Sequence, residues 1–134
     1  MLKIENLCVN YGYITALKGI TLEVNKGEIV TLIGGNGAGK TTTLMAVSGL
    51  VPKASGTIKF NNTDITKMPA DRIVRMGISH VPEGRKIFPN LTVYENLIAG
   101  TIGNPSLKKT QIKELIERNY QLFPRLKERT RQNG

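Results

Sequence analysis

Apolar and polar positions alternate over residues 2–9 (LKIENLCV), with Leu2 and Ile4 in one phase and Leu7 and Val9 displaced by one step. A period of two predicts a strand. Residues 16–24 alternate through Ile20, Leu22 and Val24 and predict a second strand. Asn25-Lys26-Gly27 makes a turn, and the short apolar run of residues 28–33 (EIVTLI) predicts a third. Glycines follow at 34, 35, 37 and 39. Residues 40–50 then read as a helix with Leu44, Val47 and Leu50 on one face, ended by Pro52. Residues 56–60 predict a strand closed by an Asn61-Asn62 turn. A short helix runs from Pro69 to Met76 and stops at Gly77. Residues 78–81 predict a strand broken by Pro82. Thr92 caps a helix through Ile98, with Glu95 at the capping-box position. Residues 107–123 form the clearest amphipathic helix, with Ile112, Leu115, Ile116 and Phe123 on its stripe. Several strands followed by alternating helix and strand predict an α/β fold with an antiparallel N-terminal portion.

Composition narrows this picture. The chain has 134 residues, 40% hydrophobic, which is the material of one packed domain. Its single cysteine, Cys8, excludes an intrachain disulfide framework and a cysteine-based metal site, and it fits a small buried apolar position. No basic start leads into a long apolar run, and no stretch reaches the ~18 apolar residues of a membrane span, so a cytoplasmic location is expected. The net charge of +9 is uneven: residues 1–66 carry +2 and residues 67–134 carry +7. A basic C-terminal part can meet an anionic partner. Only Tyr120 and Phe123 lie among the charges of residues 105–134, however, too few for the stacking platform of a single-strand binder, so a solvated helical face is expected and no nucleic acid.

The chemistry sits at Gly34-Gly35-Asn36-Gly37-Ala38-Gly39-Lys40-Thr41, which fits GxxxxGK[ST] in full. A strand leads in and a helix leads out. Glycines let the backbone curl with its N–H groups turned inward around an anion. The helix N-terminus adds positive potential. Lys40 brings a point charge to the β- and γ-phosphates, and the Thr41 hydroxyl is a hard oxygen ligand for Mg²⁺.

The loop with its further threonines (GGNGAGKTTT) and its approach (NYGYITALKGITLEVNKGEIVTLIG) resemble the ATP-binding subunits of ABC transporters. The block GISHVPEGRKIFPNLTVYENL resembles the same family's glutamine-loop region. The resemblance spans the whole chain and about the first half of a typical family domain. It implies an α/β P-loop NTPase with an antiparallel N-terminal β portion and a partial parallel core sheet, an incomplete domain. Residues 1–134 are then the N-terminal part of one nucleotide-binding domain. Its phosphate loop is 34–41, its glutamine-loop region 81–88, and its helical subdomain begins at about 92.

The resemblance also implies roles. Tyr11 stacks on adenine; from the residue alone, a half-buried core tyrosine fits as well. Gly34, Gly35, Asn36, Gly37, Ala38, Gly39 and Lys40 cradle the phosphates of ATP. Thr41 binds Mg²⁺, and Thr42 adds a hydroxyl to a phosphate. Glu83, where most members carry Gln, lies near the metal and relays nucleotide state; a solvated loop acid is the plainer reading. Gly35 departs from the family's usual Pro or Ser, which removes preorganisation but no donor. His80 reads as a packed strand residue.

The VPEGR wording, followed by IFPNLTVYENL, resembles the ATPase subunits of branched-chain amino acid importers; a urea or other amide importer is the alternative. The implied partners are a second, paralogous ATPase subunit, two transmembrane permease subunits and, indirectly, a solute-binding protein. The implied place is the cytoplasmic face of the inner membrane. Within the chain there is no Ser-Gly-Gly signature. No apolar strand ends in Asp and Glu, and no downstream switch histidine follows. The expectation is therefore a fragment that binds ATP without hydrolysing it. Two other classes were open: a small self-contained P-loop kinase or GTPase, disfavoured by the lack of DxxG and NKxD, and a basic interaction module with a vestigial loop.

Overall fold

A computed structural model describes residues 1–134 in full. The chain divides into two compact units, Met1–His80 and Val81–Gly134.

In the first unit, β1 (Leu2–Tyr11) and β2 (Ile14–Val24) form an antiparallel hairpin. Strand β1 also pairs antiparallel with β3 (Ser55–Phe60), which turns back into β4 (Thr63–Asp64), giving the order β2-β1-β3-β4. The one-step phase change in β1 is a bulge. Register slips between Ile4 and Leu7, Asn6 has φ 49°, and its N–H donates to Thr21 Oγ1 at 3.0 Å. The bulge keeps Ile4, Leu7 and Val9 all in the core. Asn61 and Asn62 have φ 47° and 65°, the left-handed pair that a tight hairpin turn needs.

Gly56 lies across from the bulge with φ 88°, and a Cβ there would overlap the Asn6 carbonyl. Gly56→Ala is therefore expected to cost about 3 kcal/mol and lower the melting midpoint by roughly 10 °C or more. A melt followed by circular dichroism checks this, and a midpoint within a degree or two of the parent would contradict the close approach.

Helix α1 (Lys40–Val47) ends in a Schellman turn. Gly49, at φ 72°, donates its N–H to Ala46 O at 3.2 Å, and Leu50 donates its N–H to Met45 O at 2.9 Å. The stop thus comes at Gly49, ahead of Pro52. The buried face of α1 is Thr43, Ala46 and Val47, while Leu44 and Leu50 are exposed, contrary to the periodicity. Small and branched side chains let the helix approach the sheet closely. Helix α2 (Ala70–Arg75) buries Ile73 and stops at Gly77, φ 96°.

Two expected strands do not form. Residues 28–33 and 78–81 lie outside any ladder, and the sheet contains no parallel pair. Ile29 and Ile33 are 94% and 93% exposed. No strand of this chain reaches their backbone groups, so the apolar run has nothing to pair with. Cys8 is half-buried rather than buried.

In the second unit, α3 (Val93–Ala99) carries the expected capping box at Thr92 and Glu95. Helix α4 (Lys109–Leu122) buries Ile116 and Tyr120. Leu115 and Phe123, expected on the stripe, are exposed. Tyr120 is held by the Thr130 hydroxyl, which donates to its phenolic oxygen at 2.8 Å. Helix α5 (Pro124–Glu128) starts on a proline and was not foreseen. No helix is long and apolar enough to cross a membrane.

Candidate functional site

The phosphate loop owes its shape to two glycines. Gly37 and Gly39 have φ 80° and 87°, a region in which side chains are strained. Gly39 is also the N-cap of α1, and a Cβ on it would lie 2.5 Å from Leu17 Cδ2 and 3.1 Å from Ala16 O. The β1–β2 hairpin, with Tyr11 exposed at its tip, thus packs directly on the base of the loop. At Gly35 and Gly37 a Cβ would meet nothing within 4 Å, so this side of the loop opens to a ligand.

Lys40 folds back into the loop. Its ammonium donates to Gly34 O and Gly35 O, each at 2.7 Å. It is the only cation between Lys26 and Lys53. The first turn of α1 holds no acid. The leading N–H groups of a helix have no intrahelical acceptor and attract anions. Thr43 fixes the junction: both its N–H (2.8 Å) and its hydroxyl (2.9 Å) donate to Gly39 O. Thr41 and Thr42 sit on the exposed and half-exposed side of the same turn. Glycine backbone, helix terminus and lysine together fit a polyphosphate, and the Thr41 hydroxyl suits a hard cation such as Mg²⁺.

Of the expected residues, Tyr11 and Gly34 through Thr42 thus belong to the first unit, with the loop seated on the hairpin that carries Tyr11. Glu83 belongs to the second unit, in a bend followed by Gly84 at φ 77°. Two contributors escaped the sequence reading. Leu17, an ordinary strand position, backs Gly39, and Thr43 is a buried anchor whose only sequence trace is the third threonine of the run.

In the second unit the segment after Glu83 is tied to α3. The Thr92 hydroxyl accepts from Glu95 N–H at 3.2 Å, and the Glu95 carboxylate accepts from Thr92 N–H at 2.7 Å. That backbone N–H, and after it the Thr92 hydroxyl, hold the Glu95 carboxyl below its ordinary pKa.

These features agree with known proteins. The chain is 44% identical over its full length to the high-affinity branched-chain amino acid transport ATP-binding protein BraG of Pseudomonas aeruginosa, of which it covers 56%. It is 43% identical over 95 residues, 71% of the chain and 39% of the relative, to the lipopolysaccharide export system ATP-binding protein LptB of Escherichia coli K12. Among solved structures, an ATP-binding subunit of an ABC transporter superposes with TM-score 0.85 at 28% identity, covering 99% of this chain and 54% of that one. A nucleotide-free ATP-binding cassette gives 0.78 at 27%, over 99% and 57%. The chain therefore spans a little over half the length of these proteins, except for the shorter stretch shared with LptB. The ABC transporter family matches residues 17–133, from the strand behind the phosphate loop to the end of the second unit, and the chain belongs to that family.

Proposed function

We propose that this chain is the nucleotide-binding part of an ABC importer's ATPase subunit, which couples ATP binding and hydrolysis to uptake of branched-chain amino acids. The observation that carries the reading is the Lys40 ammonium held 2.7 Å from two carbonyls of a glycine loop at a helix N-terminus. The full-length identity to BraG supports the solute. Residues 1–134 form the N-terminal part of one nucleotide-binding domain. The phosphate loop is 34–41, the glutamine-loop region 81–88, and the helical subdomain begins near 92.

Within it, Tyr11 stacks on the adenine, and base stacking contributes ~1–3 kcal/mol. Gly34, Gly35, Asn36, Gly37, Ala38 and Gly39 turn backbone N–H groups to the phosphates. Lys40 leaves its two carbonyls for the β- and γ-phosphate oxygens. Thr42 adds a hydroxyl to a phosphate, and Thr41 supplies a ligand to Mg²⁺. Glu83 is assigned to the metal by the family resemblance and relays nucleotide state to the permease. When bound, Mg²⁺ neutralises phosphate charge. The family resemblance supplies the assembly: a second, paralogous ATPase subunit, two permease subunits, a solute-binding protein behind them, and a peripheral position on the cytoplasmic face of the inner membrane.

Hydrolysis of this kind depends on a positioned water and on charge stabilisation acting together. The 134 residues contain neither a signature run nor an acid at the end of an apolar strand. The chain is therefore expected to bind a fluorescent ATP analogue with Mg²⁺ and to release phosphate no faster than Lys40→Ala. Turnover well above that control would overturn the reading in favour of a self-contained NTPase, and failure to bind the analogue would remove the nucleotide site altogether.

A further inference from the structure

Asn96, on α3, makes an unusual set of bonds for one side chain. Its Oδ1 accepts from Phe88 N–H at 2.9 Å. Its Nδ2 donates to Phe88 O at 3.1 Å, Leu91 O at 3.1 Å and Thr92 O at 3.0 Å. The amide therefore pairs with both backbone groups of Phe88 as a neighbouring strand would, and at the same time closes the turn leading into the helix. Phe88 ends the segment that begins at Glu83. The side chains of that segment, Ile87 and Phe88 included, are exposed, so apolar burial does not hold it.

The segment Thr130–Gly134 completes a clasp beside it. Val93 N–H donates to Gln132 O at 2.9 Å, Tyr94 N–H to Thr130 O at 3.1 Å, and Gly134 N–H to Leu91 O at 3.0 Å. These bonds hold residues 91–94, and from that stretch Leu91 N–H donates to Phe88 O at 3.1 Å. Asn96 adds a second donor to the Phe88 carbonyl and the one acceptor for the Phe88 N–H, at the end of the Glu83 loop.

We propose that Asn96 is the positioning residue of this loop: its amide fastens Phe88 to α3, so that a displacement of α3 reaches Glu83 through five residues of tethered backbone. This rests on the role given to Glu83 above. Two of its contacts, to the N–H and the carbonyl of Phe88, lie on the loop itself and together hold the loop's end against the entropy of a free segment. An alanine keeps the Thr92–Glu95 capping box and the Leu91 N–H to Phe88 O bond, and removes both side-chain bonds to Phe88.

The test uses the full 134-residue chain at low concentration, with Asn96→Ala, Asn96→Asp, Thr92→Ala and Glu83→Ala. Amide hydrogen exchange read by mass spectrometry should rise about tenfold at Phe88, the one amide of residues 84–90 that donates a hydrogen bond, in Asn96→Ala. Thr92→Ala should fray the start of α3 and leave Phe88 closer to the parent. Asn96→Asp keeps the acceptor for Phe88 but sets a carboxylate against three carbonyls, so it should release the loop too; it serves if the alanine variant fails to fold.

The second readout is the ratio of ATP-analogue affinity with and without Mg²⁺, which a purely structural role would not move. Asn96→Ala should lower this ratio towards that of Glu83→Ala and leave the Mg²⁺-free affinity unchanged. Parent-like exchange at Phe88 in both Asn96 variants, or equal release by Thr92→Ala, overturns the tether. A ratio that falls in Glu83→Ala and not in Asn96→Ala overturns the positioning role. A ratio unmoved by Glu83→Ala overturns the assignment of Glu83 itself, whatever the exchange shows.

Discussion

Lys40→Ala should weaken binding of an ATP analogue roughly tenfold to a hundredfold, because a charge-assisted contact is worth ~1.5–3 kcal/mol. The residual affinity comes from the loop N–H groups and the helix terminus, which the substitution leaves in place. Structure sharpens the expectation in two ways. No other cation between Lys26 and Lys53 can take over. The lysine also closes the resting loop through Gly34 O and Gly35 O, so its removal loosens the cradle as well as emptying it of charge. Lys26→Ala, in the exposed turn after β2, is the matched control for loss of one positive charge and should bind as the parent does. Fluorescence titration of the three proteins decides. An unchanged dissociation constant in Lys40→Ala would mean that the anion sits elsewhere.

The second large effect is self-association of the isolated chain. Ile29, Val30, Leu32 and Ile33 are apolar on both faces of an extended segment, which is the pattern of a strand buried on two sides. Yet all four are exposed, and the segment's backbone joins no ladder. An unpaired apolar strand is a template for pairing with another copy. Against a total stability of ~5–15 kcal/mol, a segment left unpaired along both edges costs a large share. The purified chain should elute as oligomers on size exclusion and melt broadly, with β1, β2 and β3 the last to go. Ile29 and Ile33 lie almost wholly in solvent, so Ile29→Lys combined with Ile33→Lys should shift the chain towards monomer without lowering that last transition. A parent chain that runs as a monomer with one sharp melt would show that the segment is not sticky.

The same segment shows where local pattern stops being informative. Its residues announce a strand, and in a sheet they would be one, but a strand exists only when another backbone accepts its hydrogen bonds. No residue within 28–33 states whether a neighbour is present. The identity of the neighbour is a tertiary fact.

Other elements were legible because their causes are local. The Asn61-Asn62 turn follows from two residues that tolerate positive φ. The Thr92–Glu95 capping box follows from side chains three positions apart. The phosphate loop follows from glycines, a lysine and a threonine at fixed spacing, because the backbone curl that cradles an anion is made by those residues themselves. Even the slip in the β1 alternation was visible, although only the fold showed it to be a bulge, set opposite the one residue type, glycine at position 56, that leaves room for it.

What only the tertiary structure decided has a common physical origin: contact with something distant in sequence. Periodicity assigned Leu44 and Leu50 to the inner face of α1, but close packing against the sheet chose the smaller Thr43, Ala46 and Val47. Leu17 gained its place behind Gly39 from the hairpin's docking, not from its own strand pattern. Asn96 looks like any polar helix residue until the chain folds back and offers it both backbone groups of Phe88. Sequence by itself determined the chemistry of the loop and the local turns and caps, since these are written within a few residues. The fold determined which faces are buried, which strands find partners and how the Glu83 loop is held, since each depends on groups that meet only once the chain is compact.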